Sequence, residues 1–424
     1  MADLHPFRAW RFTEKAGAID ELTCPPYDII SETQRQAYLA RNEHNIIRLE
    51  LPRDGADPYA AAGETLRRWM DGDVLRRDET AAFYVYDITF TVDGVTRTVG
   101  GFMARTRLEE FSRGIVLPHE FTLSKAKEDR FRLMQATNCN FSHIYALYRE
   151  DSGAVEARLN AARQTPPLAE LTDEAGLTHR LWAITDPAAI EEIRRCLADT
   201  KLYIADGHHR YETALRYRDE RRAAGAPVGS GADFVMMMLV EMSHPGLVVF
   251  PTHRLIRDLD GFDPSAVLAA CEEFFTVEHI PLPAAEKRLA AGYDAGQKVF
   301  AFYTGGDTAA LLTLRDAAVM DAVLPDRSPV SRQLDVNVLH TLILERLMGI
   351  DKENMANQKN LTYTRSAAEA VDGVQSGRFQ ACFLINPTRV EEIRDVAAAG
   401  EKMPQKSTYF YPKLITGLTV NELD

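Results

Sequence analysis

Residues 201–215, with the sequence KLYIADGHHRYETAL, combine a carboxylate with several groups that bind phosphate. An apolar run ends at Asp206, Gly207 permits a sharp turn, and a helix is predicted to begin at once. The first amides of a helix lack backbone partners and carry the positive end of its dipole, so they suit an anion. Two imidazoles and a guanidinium beside them add donors for phosphate oxygens. The predicted phosphate-binding residues are Gly207, His208, His209 and Arg210.

Asp206 is the residue of this turn that phosphate binding alone does not explain, because a carboxylate repels phosphate. A carboxylate in such a position is typical of a metal ligand or of a general base. We therefore predict that Asp206 is catalytic and that it is the protein's ligand for a metal ion, Mg²⁺. The alternative is structural: Asp206 caps the helix while the histidines pack in the interior.

A second polar cluster covers residues 117–130, with the sequence LPHEFTLSKAKEDR. Lys125 shares one face of a predicted helix with the aspartate four residues later, and a His-Glu pair precedes that helix in a loop. No second histidine follows at the spacing of a zinc motif. The alternative is a solvated amphipathic helix with ordinary ion pairs. We predict Glu120 as a second catalytic residue, and as supporting residues His119, Lys125 and Arg130.

Two further segments supply candidate cations. Residues 250–254, FPTHR, are predicted to follow a strand of the same sheet, and the pockets of α/β sheets gather at strand ends. His253 and Arg254 would then complete an anion site, and the alternative is a surface loop. Residues 403–413 alternate as in an extended strand, which makes Lys406 a predicted supporting residue. The alternative there is a packed closing strand whose lysines lie in solvent.

Strand and helix patterns alternate along the chain, which indicates a mixed α/β protein. Residues 83–91 and 95–108 alternate around Asp93-Gly94, a strong hairpin signal, and Ser31 with Gln34 has the pattern of a capping box. Other helices are predicted at 210–224, 336–348, 366–375 and 389–398, and other strands at 202–205, 234–241, 299–303 and 379–385. A boundary near residue 260 predicts two regions: an N-terminal α/β region, 1–260, that contains the phosphate-binding turn, and a C-terminal α/β region, 261–424.

Composition argues against several classes of protein. The 424 residues are 46% hydrophobic and 26% charged, as in ordinary globular chains. There is no run of roughly 18 apolar residues to span a bilayer, and residues 1–10 lack a signal-peptide pattern. A net charge of −13 argues against binding nucleic acid, and the five cysteines are scattered as in reduced cytosolic proteins. We expect a cytoplasmic protein without membrane or nucleic-acid partners, and an oligomer is compatible with the sequence.

Several blocks together resemble a known family. In order, they are Pro25-Pro26-Tyr27-Asp28, His119-Glu120 with residues 125–130, residues 205–215, residues 251–254 and residues 403–413. This arrangement looks like the bacterial and archaeal family called domain of unknown function 1015. The resemblance covers nearly the entire chain, and the order of the blocks makes it specific. The family name implies no activity.

The turn from Asp206 to Arg210 also resembles the nucleotide-binding turn of the ParB and sulfiredoxin-like superfamily, which includes kinases that phosphorylate free serine. That resemblance implies a ParB-like core elaborated by a β-hairpin region and a C-terminal α/β layer. It implies that Gly207 to Arg210 contact nucleotide phosphates and that Asp206 matches a carboxylate implicated in catalysis in the serine-kinase branch. This chain is far longer than the smaller relatives, and their upstream elements are not recognisable in it.

These observations favour an enzyme that depends on nucleotide and Mg²⁺ and transfers phosphoryl groups to or from a small hydroxyl metabolite, such as serine or its phosphate ester. The direction, kinase or phosphatase, stays open. One alternative is a nucleotide-binding switch without turnover. Another is a metal-dependent hydrolase that uses His119, Glu120, Asp206 and His208 as ligands. We expect four clusters to converge on one cleft: residues 25–28, 119–130, 206–210 and 251–254.

Overall fold

The computed structural model describes residues 1–122 and 124–423, apart from the side chains of residues 124–126. By its contacts the chain forms two compact units. Unit 1 comprises Met1–Pro118, Thr122–Val248 and Pro412–Asp424, and unit 2 comprises His119–Phe121 and Val249–Tyr411. The contacts therefore place the main division after Val248, whereas the sequence analysis placed a boundary after residue 260. They also return the C-terminal segment to unit 1.

The strands are β1 (Leu4–His5), β2 (Trp10–Phe12), β3 (Leu75–Arg77), β4 (Phe83–Val92), β5 (Val95–Arg107), β6 (Val116–Leu117), β7 (Cys139–Asn140), β8 (Ile144–Tyr148), β9 (Ala169–Thr172), β10 (Thr178–Ile184), β11 (Leu202–Asp206), β12 (Phe234–Glu241), β13 (Val248–Val249), β14 (His253–Ile256), β15 (Phe275–Pro281), β16 (Val299–Tyr303), β17 (Thr308–Leu314), β18 (Leu361–Thr364), β19 (Ala381–Leu384), β20 (Phe410–Tyr411) and β21 (Asn421–Glu422).

The α-helices are α1 (Ile19–Leu22), α2 (Glu32–Arg41), α3 (Ile47–Glu50), α4 (Pro58–Asp71), α5 (Ser124–Thr137), α6 (Ala154–Arg163), α7 (Pro187–Leu197), α8 (His208–Ala223), α9 (Pro264–Cys271), α10 (Ala285–Asp294), α11 (Val319–Val323), α12 (Pro329–Arg332), α13 (Asp335–Val338), α14 (Lys352–Asn357), α15 (Ala367–Gln375) and α16 (Val390–Ala398). This mixture of helices and sheets confirms the predicted α/β class. In the described part of the chain, no helix has both the length and the apolar character needed to cross a membrane.

Unit 1 is built on a nine-stranded mixed sheet with the order β6-β11-β8-β12-β5-β4-β10-β9, and β1 pairs with β5. The β4–β5 hairpin confirms the sequence prediction, and its turn residues Asp93 and Gly94 have φ angles of 51° and 74°. Both lie in the left-handed region that a two-residue hairpin turn requires. Strands β8 and β11 lie side by side in antiparallel register, which places the end of β11 beside the start of β8.

A smaller layer of unit 1 packs around α2, α3 and α4, and its buried residues include Leu22, Ile46 and Trp69. Helix α2 begins with the predicted capping box: the amide of Gln34 donates to Oγ of Ser31 over 3.3 Å, and the amide of Ser31 donates to Oε1 of Gln34 over 2.9 Å. The layer matters for the site because α3 and the segment before α2 supply polar side chains to it.

Unit 2 holds a six-stranded sheet with the order β15-β17-β16-β19-β14-β18. The prediction that residues 250–254 follow a strand of the sheet that contains β11 is wrong, because His253 begins β14 of this second sheet. Arg254 pairs with Phe383 on one side and with Tyr363 on the other. Proline cannot donate to a strand ladder, so Pro251 separates the short strand β13 from β14 rather than ending the extended region.

Two other predicted elements differ from the structure. The helix expected at 336–348 begins as α13, but residues Leu339–Glu345 form a π-helix. In the expected strand at 403–413, only Phe410–Tyr411 is extended in a ladder. Lys406 has a φ of 59°, a left-handed conformation that interrupts a strand.

Candidate functional site

The turn between β11 and α8 forms as the sequence predicts. Residues 202–205 are buried in the sheet of unit 1, and Asp206 is the first residue of the strand with solvent access. Gly207 has a φ of 93° and a ψ of 24°, a left-handed conformation that favours glycine. The amide of Tyr211 then donates to the carbonyl of Gly207 over 3.0 Å, and buried Tyr211 and Ala214 fix α8 against the core. Asp206 is thereby fixed immediately before the helix.

Two cations hold the carboxylate of Asp206. Nζ of Lys413 lies 3.1 Å from Oδ1, and Nη2 of Arg210 lies 3.1 Å from Oδ2. The side chains of Lys413 and Arg210 are only 11% and 12% exposed, so solvent screens these pairs little. Burial alone would raise the pKa of Asp206, but Lys413 and then Arg210 outweigh it and lower the pKa to about 2. Asp206 is therefore ionised at neutral pH, and its two partners leave the group with a net positive charge.

Arg210 also connects the turn to the strand beside it. Its Nη1 donates to the carbonyl of His143, and its guanidinium folds over Gly207. His143 is buried, its Nε2 is 2.9 Å from Oγ1 of Thr419, and burial and then Arg210 lower its pKa to about 3. The imidazole of His143 is therefore neutral near pH 7, and in this pair Arg210 carries the positive charge.

The two histidines that open α8 have different surroundings. His208 is 3% exposed, whereas His209 is half-buried. Neighbouring helix residues point about 100° apart, which explains the difference. Burial is the main cause of a lowered pKa for His209, and the carboxylates of Glu212 and Asp28 oppose it. The imidazole of His209, with solvent access, is the better placed of the two to meet a ligand.

Glu212, one turn into α8, receives two hydrogen bonds from the region before and within α5. Oγ1 of Thr122 donates to Oε2 of Glu212 over 2.6 Å, and Nζ of Lys127 donates to the same oxygen over 2.7 Å. Lys127 is a cation of α5 that the sequence analysis did not select. The side chain of Lys125 lies outside the described residues.

Arg130 joins the segment at residues 25–28 to the site. Its guanidinium lies 4.1 Å from the ring centre of Tyr27, and its Nη1 donates to the carbonyl of Glu50 over 2.6 Å. Burial raises the pKa of Tyr27 to about 12, while the charges of Arg210 and Arg130 oppose that shift. The 25–28 segment, the C-terminal part of the 119–130 cluster and the 206–210 turn therefore lie within electrostatic reach of one another in unit 1.

The remaining predicted residues belong to unit 2. His119 is buried, and its Nε2 is 3.0 Å from Oγ1 of Thr408. Glu120 is half-buried, and the side chain of Lys406 is exposed. Their functional roles, and the convergence of all four clusters on one cleft, stay predictions.

His253 and Arg254 are interior residues of unit 2. Burial and then Arg254 lower the pKa of His253 to about 4, so its imidazole is neutral, and its Nδ1 accepts a hydrogen bond of 3.2 Å from the amide of Ile385. Arg254 has no exposed surface, and burial lowers its pKa to about 10. Its guanidinium donates to the carbonyl of Thr252, to that of Lys406 over 3.4 Å and to Nε2 of His340 over 3.2 Å. Protein groups therefore engage all three nitrogens of the Arg254 guanidinium, and the role predicted for His253 and Arg254 in an anion site stays a prediction.

A separate surface cavity of about 680 Å³ lies on unit 1. Its lining carries both charges, from Asp57, Glu64, Arg67 and Arg132. Tyr59 from the same lining donates to Oδ1 of Asp129 over 2.8 Å. Among the residues whose side chains the structure describes, none of the predicted site residues lines this cavity, so its volume gives no support to the site at Asp206.

A family model described as "Protein of unknown function (DUF1015)" matches residues 4–337, which is more than half of the chain. The chain belongs to the DUF1015 family. The search of curated proteins found no match.

Solved structures similar to this DUF1015 chain share little sequence with it. A mutant free serine kinase in complex with AMP is 11% identical, covers 77% of this chain and 92% of its own, and has a TM-score of 0.38. A conserved hypothetical protein from Pyrococcus furiosus is 13% identical, with coverages of 74% and 94% and a TM-score of 0.35. SbnI from Staphylococcus aureus, truncated at its C-terminus, is 11% identical, with coverages of 75% and 87% and a TM-score of 0.36. At TM-scores this low, the similarity supports no conclusion about the function of this chain.

Sequence reasoning missed three polar residues of the site in the DUF1015 chain. Lys413 lies seven residues beyond Lys406, the lysine that the sequence analysis selected. Only the fold shows that Lys413 is the one that reaches Asp206. Glu212 had no assigned role. Glu50 had a visible signal, because it is an acidic residue inside the apolar sequence IIRLEL. An acid at such a position is expected to be buried, and acidic side chains are rarely buried unless they are paired.

The described residues contain no group of three or more His, Cys, Asp or Glu side chains placed to hold a metal ion. Mg²⁺ does not require such a group, because it commonly binds one or two carboxylates together with phosphate oxygens and water. Asp206 has the ligand chemistry for that kind of site. A magnesium site here would depend on a phosphate ligand for its other oxygens.

Replacing Gly207 with alanine is expected to destabilise unit 1 more than the same change at Gly225. Both glycines have similar left-handed φ angles, 93° and 96°, so each substitution incurs about 1–2 kcal/mol of backbone strain. A Cβ at residue 207 would also lie 3.0 Å from Nε and Nη2 of Arg210, whereas one at residue 225 would meet nothing within 4 Å. Urea unfolding of both variants measures the difference, and equal losses would contradict this account of the turn.

Proposed function

We propose that this DUF1015 protein is an enzyme that transfers a phosphoryl group between a nucleotide and a small hydroxyl metabolite, such as serine or its phosphate ester, with Mg²⁺. The observation that supports it most is the ionised Asp206, held by Lys413 and Arg210 immediately before the first turn of α8. A carboxylate with an excess of fixed positive charge beside a helix N-terminus suits phosphate and its counter-ion together.

Each group has a definite task in this proposal. Lys413, Arg210 and the first amides of α8 bind and orient the phosphates, and His209 adds a donor that solvent reaches. Asp206 would hold Mg²⁺, which when bound neutralises charge on the phosphates. Phosphoryl transfer is catalysed mainly by positioning and charge stabilisation, so a fixed array of cations around one carboxylate fits the reaction.

A nucleotide-binding switch without turnover is the second candidate. Both oxygens of Asp206 are already paired inside the protein, which is also what a purely structural carboxylate requires. The switch would use the same phosphate-binding groups, and the two candidates differ only in whether a second substrate is converted.

A thermal-shift screen tests the binding step that both candidates share. Nucleoside triphosphates with Mg²⁺ are expected to raise the melting temperature, because a ligand at 100 times its Kd stabilises the native state by about 2.7 kcal/mol. For a domain of roughly 150–250 residues such a gain corresponds to several degrees, on the order of 2–4 °C per kcal/mol. The matching nucleosides, which lack phosphate, should give no shift. Equal shifts from nucleosides and nucleotides would refute a phosphate site.

A further inference from the structure

Glu50 is a buried acid to which the proposed function assigns no role. It is the last residue of α3 and is 1% exposed, with Leu49 and Leu51 buried on either side. An ionisable side chain in such a place is costly unless it is paired or functional. Asp28, Tyr27 and Cys24 come from the segments packed nearby, and Arg130 and Arg210 come from α5 and α8.

One oxygen of the Glu50 carboxylate accepts no hydrogen bond from the described residues. Burial raises the pKa of the Glu50 carboxyl, and the side chain of Ser142 is among the groups that oppose this shift, after Arg130 and Arg210. Oε1 is buried and has no hydrogen-bond partner among the described residues, and Nη1 of Arg130 lies 3.8 Å from it. A buried oxygen that accepts nothing can receive a hydrogen bond from a ligand without giving up an existing one.

Arg130 compensates the charge of Glu50 without donating a hydrogen bond to its carboxylate. Arg130 already has a hydrogen-bonded carboxylate, because its Nε and Nη2 donate to Oδ2 of Asp129 over 2.8 and 2.5 Å. Its Nη1 is directed to the main-chain carbonyl of Glu50 rather than to the side chain. Burial lowers the pKa of Arg130, and the charge of Glu50 is the largest influence that raises it, so the two side chains interact through charge over 3.8 Å while the hydrogen bonds of the guanidinium go to Asp129 and to the main chain.

The two acids of the site have opposite electrostatic surroundings. Burial is the largest influence on Glu50 and raises its pKa, although Arg130 and Arg210 oppose the shift. The pKa of Asp206 is lowered, as described above. Two carboxyl groups whose pKa values are driven apart commonly divide the work, the one with the raised pKa exchanging protons.

We infer that Glu50 accepts the proton of the substrate hydroxyl during phosphoryl transfer, an assignment that rests on the proposed function. The hydroxyl O–H bond breaks, and its proton moves to Oε1 of Glu50. The oxygen forms a bond to the terminal phosphorus of a nucleoside triphosphate, and the bond from that phosphorus to the leaving oxygen breaks. The nucleoside diphosphate leaves with the electron pair. In the reverse direction Glu50 returns the proton.

The test uses Glu50→Gln in the full chain, with Glu50→Asp as the conservative variant. Glu50→Gln is expected to lower kcat at least about 100-fold, the usual contribution of a positioned base, with the KM for nucleotide within about threefold. The rate of the wild-type protein should fall as pH decreases through the pKa of Glu50, because the protonated acid cannot accept a proton. That acidic limb should disappear in Glu50→Gln. Glu50→Asp should recover part of the rate and show a displaced limb.

The outcomes separate this assignment from the proposed function. If the wild type transfers phosphate but Glu50→Gln keeps more than a third of kcat or the same acidic limb, the role of Glu50 is refuted and the proposed function stands. If the wild type binds nucleotide and transfers phosphate to no hydroxyl acceptor, both are refuted. If Glu50→Gln does not fold, Glu50→Asp decides, and an unchanged rate with an unchanged limb would refute the assignment.

Discussion

Asp206→Asn is expected to lower turnover at least about 100-fold while nucleotide affinity stays the same or becomes slightly tighter. Asparagine keeps the size of the side chain but removes the charge that a base or a Mg²⁺ ligand needs. It also leaves Lys413 and Arg210 without their common anion, which favours phosphate binding. Turnover and nucleotide affinity are measured for the variant and the wild type, with melting temperature as the check on folding.

The alternative role of Asp206 makes the opposite prediction. Gly207 occupies the N-cap position of α8, so a purely structural Asp206 would serve as the common anion of Lys413 and Arg210. Asp206→Asn would then lower stability and leave the turnover of the folded protein unchanged. Full activity in Asp206→Asn would therefore end the catalytic assignment and leave a structural residue.

Lys413→Met is expected to destabilise unit 1 by about 2 kcal/mol and to weaken nucleotide binding at least about tenfold. Breaking a buried pair leaves an uncompensated charge, which costs about 3–5 kcal/mol, and the 24% exposure of Asp206 together with its second partner Arg210 reduces that cost. Phosphate also loses one of its cations. Urea unfolding and nucleotide titration measure the two effects.

Lys406→Met is the matched control for Lys413→Met. Both lysines come from the C-terminal segment that the sequence analysis singled out, but the side chain of Lys406 is exposed in unit 2. Surface substitutions of this kind usually change stability by about 0.5 kcal/mol or less. Equal losses of stability in the two variants would contradict the pairing of buried Lys413 with Asp206.

Local features of the fold were predictable from the sequence because they depend on neighbouring residues. The Asp93-Gly94 hairpin, the capping box at Ser31 and the turn at Gly207 each follow from backbone preferences over a few positions. The order of strands in the sheets does not follow from such preferences. For that reason the sequence analysis placed residues 250–254 in the wrong sheet.

The sequence predicted the part of the candidate site around Asp206 and selected Arg130, which the structure places against Tyr27 and Glu50. The partner of Asp206, Lys413, is more than two hundred residues away, and the choice between Lys406 and Lys413 depends on which one the folded chain returns to unit 1. Glu50 was overlooked because the four residues of α3 contain no motif, although an acid between leucines is unusual. Arg254 was selected for its charge, whereas the structure places it in the interior of unit 2.

The most direct test of the central claim is ³¹P NMR of the wild-type protein with Mg²⁺, serine and the nucleoside triphosphate that gives the largest thermal shift. The account predicts that a phosphomonoester resonance grows in step with nucleoside diphosphate and that omitting serine removes it. Repeating the measurement with other small hydroxyl compounds covers the substrate class. A bound nucleotide that stays intact, or that yields only inorganic phosphate with every acceptor, would contradict phosphoryl transfer to a hydroxyl metabolite.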